Sequence, residues 1–98
     1  MGLKISPDVR EKLKEPDHDV TEDEILECFA NRGPKECYDT RSHHKTNPPT
    51  RWFVAETDRG RRLKIMYILL TTGDVEIKSA YPATDDVTRI FRKYAAVI

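Results

Sequence analysis

The sequence predicts an α+β fold, with helices packed on a three- to four-stranded antiparallel sheet in the order ααβ(β)ββα. Paired helix-start signals near the beginning of the chain carry part of this prediction. Short alternating segments punctuated by Gly-containing turns carry the sheet, and an amphipathic stretch near the end carries the last helix.

Ser6-Pro7-Asp8 reads as a helix start: a capping hydroxyl, a proline at the first helical position and an acid at the positive dipole end. Val9 and Leu13 give this helix an apolar face, and Pro16 stops it. Thr21 and Glu24 form a capping box that opens a second helix, with Ile25, Cys28 and Phe29 at helical spacing and Leu26 widening the stripe. Asn31-Arg32-Gly33-Pro34 ends it, with Gly33 expected in the left-handed conformation.

Residues 35–40 read as a short edge strand and the polar stretch 41–50, with its Pro pair, as a loop. Strands follow at 52–57, 62–70 and 75–80, joined by turns at Asp58-Arg59-Gly60 and Thr72-Gly73-Asp74. Thr84-Asp85-Asp86 caps the last helix, whose Val87, Ile90, Phe91 and Tyr94 recur at i, i+3, i+4 and i+7. Trp52, Phe53, Tyr67, Phe91 and Tyr94 are expected in the core, as is Cys28.

Length bounds the organisation. For 98 residues and 11.4 kDa, surface scaling buries about 65% of the chain's area, enough for one domain, residues 1–98, with one modest core. Lys plus Arg number 17 and Asp plus Glu 17, a formal charge of zero that argues against a histone-like binder or an acidic tail. The balance conceals an asymmetry: residues 1–49 hold 8 basic and 11 acidic residues, and residues 50–98 hold 9 and 6. The longest apolar run, residues 65–70, is far too short for a membrane helix, and the N-terminus has no signal-peptide hydrophobic region. Two cysteines, Cys28 and Cys37, are too few for a disulfide scaffold and too far apart for a CxxC motif. A cytoplasmic protein with reduced thiols and no membrane association is expected.

Several segments together resemble a known family. Pro16-Asp17-His18-Asp19-Val20-Thr21 with Glu24-Ile25 and Cys28-Phe29 is similar to the opening of BrnT-type toxins. Arg51-Trp52, Gly60-Arg61-Arg62-Leu63 and residues 77–84 (IKSAYPAT) resemble the remainder of that pattern, in the same order. The chain also resembles short bacterial proteins labelled ADP-ribosyl-(dinitrogen reductase) hydrolase, but it lacks the length and acidic metal cluster of such hydrolases. The BrnT resemblance implies a RelE/ParE-like fold and a toxin of a type II toxin–antitoxin module. Such a toxin is a metal-independent ribonuclease without cofactor, held by an antitoxin protein. Two departures stand out: Ser79-Ala80-Tyr81 where the family has Ser-Ala-Arg, and Val87-Thr88-Arg89 where it has Glu-Arg.

Metal-free RNA cleavage needs a base for the 2′-hydroxyl, cations for the phosphorane charge and an acid for the leaving 5′-oxygen. The candidate catalytic residues are His18, Arg62, Lys64, Lys78 and Tyr81. His18 sits between two acids that favour the imidazolium, and Arg62 and Lys64 share one strand face with Met66. Tyr81 serves for stacking on a base or assisting proton transfer. Arg51, Arg61, Arg89 and Arg92 are candidates for RNA binding. The plain alternative is a solvated basic sheet face and an exposed turn histidine. His43-His44 matches no closed zinc spacing, so no metal is expected. The competing functional reading is a non-catalytic RNA- or protein-binding module that keeps the fold.

Overall fold

Local chemistry sets the helices. In the computed structural model, which describes residues 2–41, 43 and 45–98, Ser6 caps α1 (Pro7–Leu13), its hydroxyl accepting from the Val9 N–H at 3.3 Å. Thr21 and Glu24 close the capping box on α2 (Glu22–Asn31), each side chain taking the other's backbone N–H at 3.1 Å. Thr84 caps α3 (Asp85–Tyr94). α2 ends with Arg32 in an extended conformation, and Gly33 does not take the expected left-handed form. Pro34 and the strand immediately after it carry the chain straight into the sheet.

β3 (Thr50–Glu56), β4 (Arg62–Leu69) and β5 (Val75–Pro82) form the expected antiparallel meander, and β2 (Lys35–Tyr38) pairs antiparallel with β3. Gly60 and Gly73 hold the two turns with φ of 82° and 89°, which side chains with a Cβ rarely adopt. The strand count is a correction. Among the described residues the sheet has six strands in the order β1-β5-β4-β3-β2-β6 and is mixed, not three- to four-stranded and antiparallel. β1 (Leu3–Lys4) lies parallel to β5, and β6 (Ala96–Val97) antiparallel to β2. Two-residue strands have no alternation to read; their neighbours define them, as when Val75 N–H bonds Gly2 C=O at 2.8 Å.

α1 and α2 cover one face. Val9, Leu13, Ile25, Cys28 and Phe29 meet Phe53, Leu63, Ile65, Tyr67 and Ile77 there. Phe29, Phe53 and Tyr67 form an edge-to-face trio with centroids 5.1 to 6.0 Å apart. On the opposite face Cys37, Trp52 and Met66 pack with Val87, Phe91 and Ala95 of α3 and its end. That stripe runs at 87, 91 and 95, so Ile90 and Tyr94 fall to its flank. Tyr94 is 64% exposed and is therefore not core.

One irregularity positions the site. The β4–β5 register passes from Met66↔Ser79 to Tyr67↔Ile77, leaving Lys78 as an extra residue. Ile77 and Ala80, three apart, can thus both reach the α1–α2 core, and Ser79 lies opposite Met66. Among the described residues, no helix is long and apolar enough to cross a membrane.

Candidate functional site

A polar cleft of about 520 Å³ opens beside this bulge. Lys78, Ser79 and Tyr81 of β5 line it together with Met66 and Thr50. Lys12 enters from α1, His18 from the loop after α1, and Arg41, His43 and Lys45 from the loop between β2 and β3. β1 pairs with β5 only as far as Glu76, which leaves the Lys78 carbonyl free to accept from Lys12 Nζ at 3.2 Å. That bond ties the end of α1 to the bulge.

His18 is held on three sides. Its Nδ1 lies 2.9 Å from Asp17 Oδ1, and because an ionised carboxylate only accepts, Nδ1 carries the proton and Nε2 remains for chemistry. The same bond lowers the Asp17 carboxyl below its ordinary value. The imidazole stands edge-on to the Tyr81 ring, with centroids 5.7 Å apart and planes at 82°. Behind the loop, Arg61 donates to His18 C=O at 3.0 Å, to Asp19 C=O at 2.6 Å and to both Glu24 carboxylate oxygens at 3.0 Å. Partial burial pushes the Glu24 carboxyl up, but hydrogen bonds from the Thr21 N–H and from Arg61 outweigh it, so the net shift is downward. Asp19 occupies the left-handed region at φ 49°, which lets the chain turn from His18 into α2.

Charge in the cleft is mainly positive. Lys12, Arg41, Lys45 and Lys78 face one carboxylate among the described lining residues, that of Asp39. Asp39 grips Arg41 in a fork, Nε to Oδ1 at 3.0 Å and Nη2 to Oδ2 at 2.9 Å, which holds the guanidinium above its ordinary range. The electrostatics of such a lining suit anionic oxygens better than a cation. One grouping among the described residues brings metal-ligating atoms together: Glu15, Asp17 and His18, within 4.8 Å of one another, with both carboxylates exposed. His44 lies outside the described residues.

Of the residues expected from sequence, His18, Lys78 and Tyr81 meet in this cleft. Lys64 does not line it; its ammonium lies 4.4 Å from the Trp52 ring centre and 5.6 Å from that of Tyr81. The others lie elsewhere. Arg62 pairs with Asp85 at 2.8 Å, and its buried Nε has no hydrogen-bond partner among the described residues. Arg61 forms the clamp behind His18. Arg51 lies 4.0 Å from Glu36 and over the Tyr38 ring, beside a network in which Tyr67 donates to Glu36 and Arg32 bonds both. Burial, with the Glu36 contact, pushes the Tyr67 phenol up. Arg89 pairs with Asp86 at 3.0 Å, and Arg92 is exposed on the last turn of α3.

Lys12, Arg41 and Lys45 are not among the residues expected from sequence, where His43 reads as a metal ligand or, less favoured, as half of a Cys–His pair. The density of basic and imidazole groups at 41–45 was a usable signal. Nothing local reveals Lys12, whose role depends on the β5 edge. No protein-family model, curated protein or solved structure matches the chain.

Proposed function

We propose that this protein is the toxin of a type II toxin–antitoxin pair: a small, cytoplasmic, RelE/BrnT-like ribonuclease that cuts RNA in the polar cleft without a metal ion. The observation that carries this reading is the meeting of His18, Tyr81, Lys78 and Lys12 in one cleft. The ammonium groups of Lys12 and Lys78 hold the phosphodiester oxygens and stabilise the phosphorane. His43 takes the 2′-hydroxyl proton, the 2′-oxygen attacks phosphorus, and the bond from phosphorus to the 5′-oxygen breaks. His18, as imidazolium kept in place by Asp17, gives its Nε2 proton to the departing 5′-oxygen. The products are a 2′,3′-cyclic phosphate and a free 5′-hydroxyl. Tyr81 stacks on a base or assists a proton transfer.

Zero net charge limits long-range steering toward RNA, while the local excess of cations provides the phosphate site. An antitoxin partner, a small DNA-binding protein encoded next to this one, completes the proposal. A specific observation favours a second reading, a non-catalytic RNA-binding module. Arg61 and Arg62 are committed to Glu24 and Asp85, and Tyr81 stands where the family has arginine, so the cleft has less charge for a transition state.

Induced expression of the protein, with growth and RNA integrity followed together, tests the proposal. Growth arrest with RNA cleavage, both relieved by His18→Ala, is expected. Normal growth with intact RNA contradicts the toxin reading, and RNA bound but uncut by the purified protein favours the module.

A further inference from the structure

A second cleft, of about 790 Å³, adjoins the polar one, and Asp39 and Arg41 line both. Its character differs. Trp52 lines it from the sheet, Ile90 and Tyr94 from the flank of α3, and Val97 and Ile98 from the end of the chain. Ile90, Tyr94, Val97 and Ile98 are 42%, 64%, 71% and 44% exposed, an apolar patch of a kind that commonly marks a binding surface. Lys64 belongs to the same lining, and its ammonium lies over both Trp52 and Tyr81, so this cation stands between the two clefts. Of the side-chain carboxylates in the lining, Glu36 pairs with Arg32 and Asp39 with Arg41. An aromatic and aliphatic cavity whose cations border a phosphate-type site matches a nucleotide strand, with the backbone on the charges and the base on the ring.

We infer that the apolar cleft is a nucleobase subsite, taking the base next to the phosphodiester held in the polar cleft, with Tyr94 as its stacking platform. The inference rests on reading the polar cleft as an RNA site. The strand crosses from one cleft to the other over Arg41 and Lys64, which hold the intervening phosphate.

The test measures binding of a short 2′-O-methyl oligoribonucleotide, which cannot be cleaved, and of the same strand made abasic at the one position next to its central phosphodiester. Wild-type protein binds the base-bearing strand about tenfold more tightly, the scale of one base–aromatic stack. Tyr94→Ala abolishes that difference and Tyr94→Phe retains it, with the melting temperature unchanged because this side chain is largely exposed. Equal affinity for the two strands, or an unchanged preference in Tyr94→Ala, overturns the subsite and leaves the polar cleft standing. Binding of neither strand overturns both. A preference lost equally in Tyr94→Ala and Tyr94→Phe also overturns the stacking role.

Discussion

The His18 imidazole meets the Tyr81 ring edge-on at 5.7 Å, although the two residues come from opposite ends of the chain. His18 turns at the exit of α1 and Tyr81 closes β5. Because Asp17 holds Nδ1, the contact leaves His18 with a fixed ring and one nitrogen for proton transfer. Removing a positioned acid or base costs about a hundredfold to ten-thousandfold in rate. His18→Ala is expected to lose cleavage on that scale while retaining RNA affinity. Tyr81→Phe separates ring packing from phenol chemistry: unchanged cleavage assigns Tyr81 to packing and stacking, and a His18-like loss assigns it to proton transfer. Steady-state cleavage of a labelled RNA gives both values.

Arg61 stabilises the loop that carries His18. Arg61→Ala breaks its hydrogen bonds to Glu24, His18 and Asp19, and a loss of about 2 kcal/mol is expected in urea unfolding, the scale of hydrogen bonds to charged groups. Glu24 adds a pH signature. Its folded-state value lies below the ordinary 4.5, so its contribution is complete above that pH and is lost as pH falls through the folded value. Glu24→Gln should flatten the acid limb of the stability profile. A variant whose acid limb matches wild type would remove Glu24 from this role.

These two relationships are long-range, and no local pattern in the sequence encodes them. Ser6, Thr21 and Thr84 are legible because a cap involves residues within one turn, and Gly60 and Gly73 because a tight turn selects them. The bulge at Lys78 is a property of register between β4 and β5, and the Arg61 clamp joins Glu24 across 37 positions. Neither leaves a local pattern. Lys12 reads as an ordinary helix lysine until β5 provides the carbonyl it bonds. His18, Lys78 and Tyr81 are legible in the sequence as chemistry-bearing residues, but their shared cleft depends on these long-range pairings.

The polar cleft carries an electrostatic prediction. For a single strand, each phosphate contact contributes about 0.7 to the slope of log affinity against log salt. Lys78→Ala should lower the slope by about that amount. Arg89→Ala, which removes a cation already paired with Asp86 outside the cleft, should leave it unchanged. Binding measured over a series of salt concentrations reads both, and equal effects from the two variants would contradict a localised phosphate site.

Both cysteines are buried. Burial pushes the Cys28 thiol up to about 12, and burial also raises Cys37. In native protein Cys28, sealed in the core, is expected to react with a thiol reagent near neutral pH only as fast as its helix opens, and denatured protein is expected to react promptly at both positions. Rapid labelling of native Cys28 would show that its helix opens. Because the folded value exceeds the ordinary 9.0, the contribution of Cys28 is complete below that pH and declines as pH rises above it.

RNA cleavage in the polar cleft is proposed to run by proton transfer through His18. Its most direct test is incubation of a labelled RNA with purified wild-type protein and with His18→Ala in the presence of a metal chelator. Cleavage to 2′,3′-cyclic phosphate ends is expected from wild type and at least a hundredfold slower cleavage from the variant, about the smallest loss expected for a positioned acid. Intact RNA with wild type, or equal cleavage by His18→Ala, would contradict it.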